Sequence, residues 1–214
     1  MILGAICAAA CSFTVDGAGP GGARRGYAHG ARPSGRVAVG DVLRGEFAIV
    51  SAGATGQSAA RAEILEIAAL RVGPGLVPVA NFNVLVRPNR AVPREIAGRT
   101  GITQSQLECQ GVPLHDAMRQ LAAFVTRHPL FAHNAPFDQQ LLGRAASGHG
   151  LRLDNPFYDS LMVAWSAWPG LPSYQLPFLA EVLGLEHQPG NGAYSSVKTT
   201  LALLRAASLP AGHA

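Results

Sequence analysis

A chain of 214 residues with 48% hydrophobic and only 14% charged residues has material for one domain with a sizeable core and needs no second domain. Three cysteines, Cys7, Cys11 and Cys109, form neither a C-x-x-C pair nor an even disulfide framework, which fits a reducing, cytoplasmic compartment. The net charge of +4 rests on sixteen arginines and one lysine. They are scattered without a dense run, so the surface is modestly basic and suits a phosphate-bearing partner only weakly.

Residues 1–45 differ from the rest, being rich in Ala, Gly and Arg with little periodicity, and Gly17 to Gly40 reads as flexible or poorly ordered. Met1 to Ser12 is apolar but lacks a positively charged start and is too short to span a membrane. A folded domain is expected over 46–207, with a short tail over 208–214. Phe47 to Val50 is an apolar run leading into the polar, Gly-bounded segment Ser51 to Gly56, the pattern of a central strand that presents side chains at its carboxyl end. Glu63 to Val72 predicts a second strand, Gly73 to Gly75 a turn, and the alternating Val77 to Pro88 a third strand. Within the second strand, Glu66 is expected to pair with an arginine, the alternative being a place at the edge of the sheet near a site.

Farther along, the periodicity predicts a helix over Pro113 to His128, a strand over Leu130 to His133 and a helix over Ala135 to Ser147. A short strand near Asn155 to Tyr158 follows, then helices over Ser160 to Ala167, Tyr174 to Leu183 and Tyr194 to Ala207. Strands first, then strands alternating with helices, indicate an α/β fold with a mixed sheet flanked by helices. No internal repeat, heptad or Gly-Lys-Ser/Thr phosphate loop is present.

Several stretches together resemble the DnaQ-like 3′ to 5′ exonucleases of the DEDD superfamily, the group that includes the epsilon-type exonuclease domain of DNA polymerase III. Phe47 to Gly56 (FAIVSAGATG) is similar to its first strand, whose end has the form D-x-E-T-T-G; Thr55 and Gly56 match, while Ser51 and Gly53 stand at the two acidic positions. Leu130 to Leu142 (LFAHNAPFDQQLL) resembles the family's H-N-x-x-F-D signature, with His133, Asn134, Phe137 and Asp138 matching. Gly101, Ile102 and Thr103 supply a recurring T-G-I-T segment, and Asp159, Tyr174 and Leu176 match the D-T-L and Ser-Tyr-x-L stretches. The last helix of the family opens H-x-A-x-x-D-A; aligned on Ala193, Asn191 stands at the position of the general-base His and Ser196 at that of the metal-binding Asp.

The resemblance implies a ribonuclease H-like fold with a mixed sheet of about five strands, and a site in which Asp138 alone survives of five catalytic positions. It also implies that Thr55, His133, Asn134 and Phe137 contribute to nucleic-acid binding. On the residues themselves, Asp138 reads equally as a first-turn carboxylate favoured by the helix dipole and as a weak, vestigial metal ligand, and Asn134 reads first as an N-cap. His187 is read as a solvated loop histidine rather than a substitute base.

The expectation is therefore a pseudoenzyme: a degenerate exonuclease-like domain binding a single-stranded 3′ end or a protein partner, with no membrane role and no cofactor. One alternative is an active exonuclease using Mg²⁺ or Mn²⁺ at an atypical site in which Glu66, Asp159 or a carboxylate from elsewhere joins Asp138. The other is a structural interaction module associated with DNA polymerase or repair.

Overall fold

The computed structural model describes residues 39–186 and 192–208. The apolar run Phe47 to Val50 becomes β1 (Phe47–Ala54), at the centre of a five-stranded sheet of order β3-β2-β1-β4-β5. Strands β2 (Ile64–Gly73) and β3 (Val77–Leu85) run antiparallel to their neighbours. The short strands β4 (Leu130–Ala132) and β5 (Phe157–Asp159) add in parallel on the other side of β1. This is the mixed sheet expected from the sequence.

Because successive side chains of a strand point to opposite faces, β1 divides its residues between two cores. Ala48 and Val50 join one face, covered by α4 (Leu114–Val125) and α5 (Ala135–Ser147). Phe47 and Ile49 join the other, covered by α8 (Ala193–Ser208) through Ala193, Val197, Leu201 and Leu204, which recur at helical spacing. The same alternation carries Ser51 and Gly53 onto the α8 face. On β2, Ala68, Leu70 and Val72 share that face.

Two short helices occupy the segment after β3. Helix α2 (Arg94–Thr100) stops at Gly101, which is left-handed at φ 75° and donates its N–H to Ala97. Helix α3 (Gln104–Gln110) starts at Thr103, where Thr103 and Gln106 form a reciprocal capping box. The T-G-I-T segment is thus a helix stop followed at once by a helix start. The remaining helices are α6 (Ser160–Ala167) and α7 (Leu176–Val182), which pack with α8 around Ala164, Leu179 and Leu203.

Several boundaries differ from the sequence reading. Residues Val39–Arg44 form helix α1, inside the segment expected to be unstructured, and its Val42 is buried against the α8-side core. Residues 1–38 lie outside the described residues. Helices α4 and α7 are shorter than expected because Pro113 and Gln175 are their N-caps and Thr126 and Leu183 end them with non-helical dihedrals. No described helix is long and apolar enough to cross a membrane.

Candidate functional site

The carboxyl end of β1, the start of α5, the start of α7 and the first turns of α8 converge. A cleft of about 200 Å³ opens there, lined by Ser51, His133, Gln175, Leu176, Ser196 and Thr200. Ser51 from β1 and Ser196 from α8, 145 positions apart, thus face one space. Ser196 Oγ donates to the Gly192 carbonyl at 3.2 Å.

Asp138 is buried in the first turn of α5, and its Oδ1 accepts a hydrogen bond from the Ala52 backbone N–H at 2.7 Å. Burial raises its pKa to about 7; the Ala52 hydrogen bond opposes that shift and the nearby Asp159 charge adds to it. The residue therefore ties α5 to the end of β1 as well as supplying a carboxyl group. Asp159 accepts from the backbone N–H groups of Leu161 and Asn134 at 2.9 and 3.0 Å, capping α6 and fixing the entry to α5.

His133 sits between the cleft and the α6–α7 connection. Its Nε2 lies 2.7 Å from the Tyr174 carbonyl oxygen and its Nδ1 3.0 Å from the buried Ser160 hydroxyl. A carbonyl only accepts, so Nε2 carries the proton and Nδ1 accepts from Ser160. Burial lowers the pKa of this imidazole and keeps it neutral.

The other residues expected to bind nucleic acid have local structural roles. Thr55 Oγ1 accepts from the Glu63 N–H, and the Thr55 N–H donates to the Glu63 carbonyl, so this residue closes the β1–β2 loop. Asn134 is the N-cap of α5, left-handed at φ 65°, but its exposed side chain makes no capping bond. Phe137 packs, partly buried, against the core on the α4/α5 face. Asn191 and His187 lie outside the described residues.

Glu66 corrects an expectation. It pairs with no arginine among the described residues; it faces Gly53 across the β1–β2 ladder, and its Oε2 accepts from the Ala193 N–H at 2.6 Å, from 127 positions away. A carboxylate from β2 thus caps the first turn of α8, where the helix leaves its N–H groups without partners. Gly53 and Gly192 leave it room: a Cβ on Gly192 would lie 2.9 Å from Glu66 Oε2.

These donors do not suit a pair of divalent ions. Gly53 offers no ligand atom, Ser51 and Ser196 offer neutral hydroxyls, and Asp138, Asp159 and Glu66 each hold backbone N–H groups. Among the described residues no group of three or more His, Cys, Asp or Glu side chains is placed to hold a metal ion. Small hard cations require several oxygen ligands, with anionic ones to offset lost hydration.

Sequence reasoning missed Gln175, Leu176 and Thr200 as cleft residues. Leu176 carried a signal in the Ser-Tyr-x-L stretch, and Gln175 is its variable position. Thr200 lies one helical turn beyond Ser196 and had no separate signal.

Known proteins place this architecture. The epsilon subunit of DNA polymerase III from Aquifex aeolicus is 28% identical over 159 residues, covering 74% of this chain and 76% of that protein. The PolC-type DNA polymerase III of Clostridium perfringens is 28% identical over 160 residues, which is 75% of this chain but 11% of the polymerase. Among solved structures, exonuclease I superposes with a TM-score of 0.67 at 20% identity, covering 76% of this chain and 40% of that one. Escherichia coli exonuclease I in complex with a dT13 oligonucleotide gives 0.66 at 20% identity, covering 75% and 40%. The chain therefore spans most of one relative and a small part of others, and its fold is the ribonuclease H-like α/β fold. The RNase T exonuclease model matches residues 54–204, reaching from the end of β1 to the last turns of α8, and the chain belongs to that exonuclease family.

Proposed function

We propose that this exonuclease-like domain has lost phosphodiester hydrolysis and keeps its cleft for binding the 3′ end of a single polynucleotide strand, in a cytoplasmic setting. The observation that carries this reading is the charge of the site: neutral Ser51 and Ser196 face the cleft, Gly53 is bare, and Asp138 is held by Ala52. Two-metal hydrolysis requires ions about 3.5 to 4 Å apart, each stabilised by anionic oxygen ligands. One buried carboxyl group with a raised pKa cannot supply them. The family membership and the dT13 complex of the structurally similar exonuclease I support a nucleic-acid ligand. The polymerase relatives support a replication or repair protein as a further partner.

The test is digestion of a 3′-labelled single-stranded oligonucleotide in Mn²⁺, with Asp138→Ala and a chelator in parallel. Intact label under all conditions is expected. Loss of label that needs both the metal and Asp138 would overturn the proposal.

One observation favours a second reading, an active exonuclease with an atypical site: the Glu66 carboxylate faces Gly53, at a position where the resemblance places an acid. Mn²⁺ binding by calorimetry that disappears in Glu66→Gln would support that reading. Absence of Mn²⁺ binding at millimolar concentration would end it.

A further inference from the structure

The cleft has an electrostatic property that bears on how it meets a phosphate. Among the described residues that line it, no side chain is charged at neutral pH: Ser51, Gln175, Ser196 and Thr200 are polar and neutral, Leu176 is apolar, and His133 is held neutral by burial. The acidic groups around it are engaged with backbone N–H groups, Asp138 on Ala52, Asp159 on Asn134 and Leu161, and Glu66 on the first turn of α8, where the partial positive charge of the helix offsets it. Carboxylates at positions 51 and 196 would repel a phosphate unless cations intervened. Hydroxyl and amide groups instead donate hydrogen bonds to phosphate oxygens directly.

We propose that this cleft takes the terminal phosphodiester of a single strand without a bridging divalent ion, through hydrogen bonds from Ser51 and Gln175, and from Ser196 as its hydroxyl turns from the Gly192 carbonyl to the phosphate. The inference rests on the nucleic-acid reading above and adds how the ligand is held. Replacing the acids with serines then has two linked effects: it removes the metal platform needed for cleavage, and it removes the repulsion that made metal necessary for binding.

The experiment is fluorescence anisotropy of the full chain with a 5′-labelled oligothymidylate bearing a free 3′ hydroxyl, at low salt, with chelator and with Mg²⁺. The expected dissociation constants agree within about twofold, since no counter-ion is needed to neutralise the cleft. Binding seen with Mg²⁺ but lost in chelator would overturn this inference while leaving nucleic-acid binding intact. Absence of binding in both conditions would overturn this inference and the nucleic-acid reading together.

The double variant Ser51→Asp/Ser196→Asp, with its fold checked by circular dichroism, places the ligand. In chelator its affinity should fall at least about tenfold, as for like charges brought together at an interface, and Mn²⁺ should recover it. Gln175→Ala, which adds no charge, should weaken binding severalfold with and without metal. Unchanged affinity in both variants would show that the strand binds elsewhere and overturn the proposal.

Discussion

Asp138 couples the candidate site to stability. Its pKa is about 7 in the folded protein against an ordinary carboxylate value of 3.8, so the native state holds a proton that the unfolded chain has released between those limits. The contribution is fully present below pH 3.8 and is lost as pH rises through 7. Asp138→Asn keeps an oxygen to accept from Ala52 and cannot ionise. Urea unfolding across pH 4 to 8 should show wild-type stability falling relative to this variant and levelling off above about pH 7. Parallel curves would show that Asp138 does not titrate in this window. At the other carboxylate, a methyl group added by Gly192→Ala would meet Glu66 Oε2 and displace it from the Ala193 N–H. Loss of that buried charge-assisted bond should cost about 1 to 3 kcal/mol in chemical denaturation.

At the scale of elements, the segment from α2 to α3 shows how a short motif acts through backbone geometry. Thr100 Oγ1 donates to the Ile96 carbonyl, Gly101 ends α2 in the left-handed region, and Thr103 opens α3 by capping Gln106. Buried Ile96, Ile102 and Leu107 then pack with Leu65 of β2. Thr103→Ala removes one half of the capping box and should destabilise the protein by about 0.5 to 2 kcal/mol. Gly101→Ala forces a side chain into a left-handed conformation and should cost about 1 to 2 kcal/mol. Thermal unfolding of both variants checks the assignment. Equal stability to wild type would mean that the two helices do not depend on these caps.

Across the whole molecule, α5 is held to distant parts of the chain at both of its ends. Asp138 in its first turn reaches Ala52, and Arg144 near its last turn donates from Nε to the Ala59 carbonyl and from a terminal nitrogen to that of Ala62. The β1–β2 loop is thus closed by Thr55 and tethered by Arg144. Arg144→Ala leaves those carbonyls without their donor, so limited proteolysis should cut within residues 56–62 faster than in wild type, with stability lowered by about 1 to 3 kcal/mol. Unchanged cleavage would show that the arginine does not order the loop.

The sequence by itself determined the five strands and most helices, since those follow from apolar periodicity and from punctuation by Gly and Pro, which act over a few residues. Ser51, Gly53 and Ser196 are likewise legible in the sequence as the residues standing where the motifs of the resemblance carry acids. Where Glu66 points, what Asp138 bonds to, and which residues of α7 and α8 line the cleft were decided only by the tertiary structure. The physical reason is that a buried polar group must find a partner wherever the fold brings one, and for Glu66 and Asp138 that partner lies 127 and 86 positions away. Burial then sets the protonation of Asp138 and His133, a property of the surroundings that no local pattern carries.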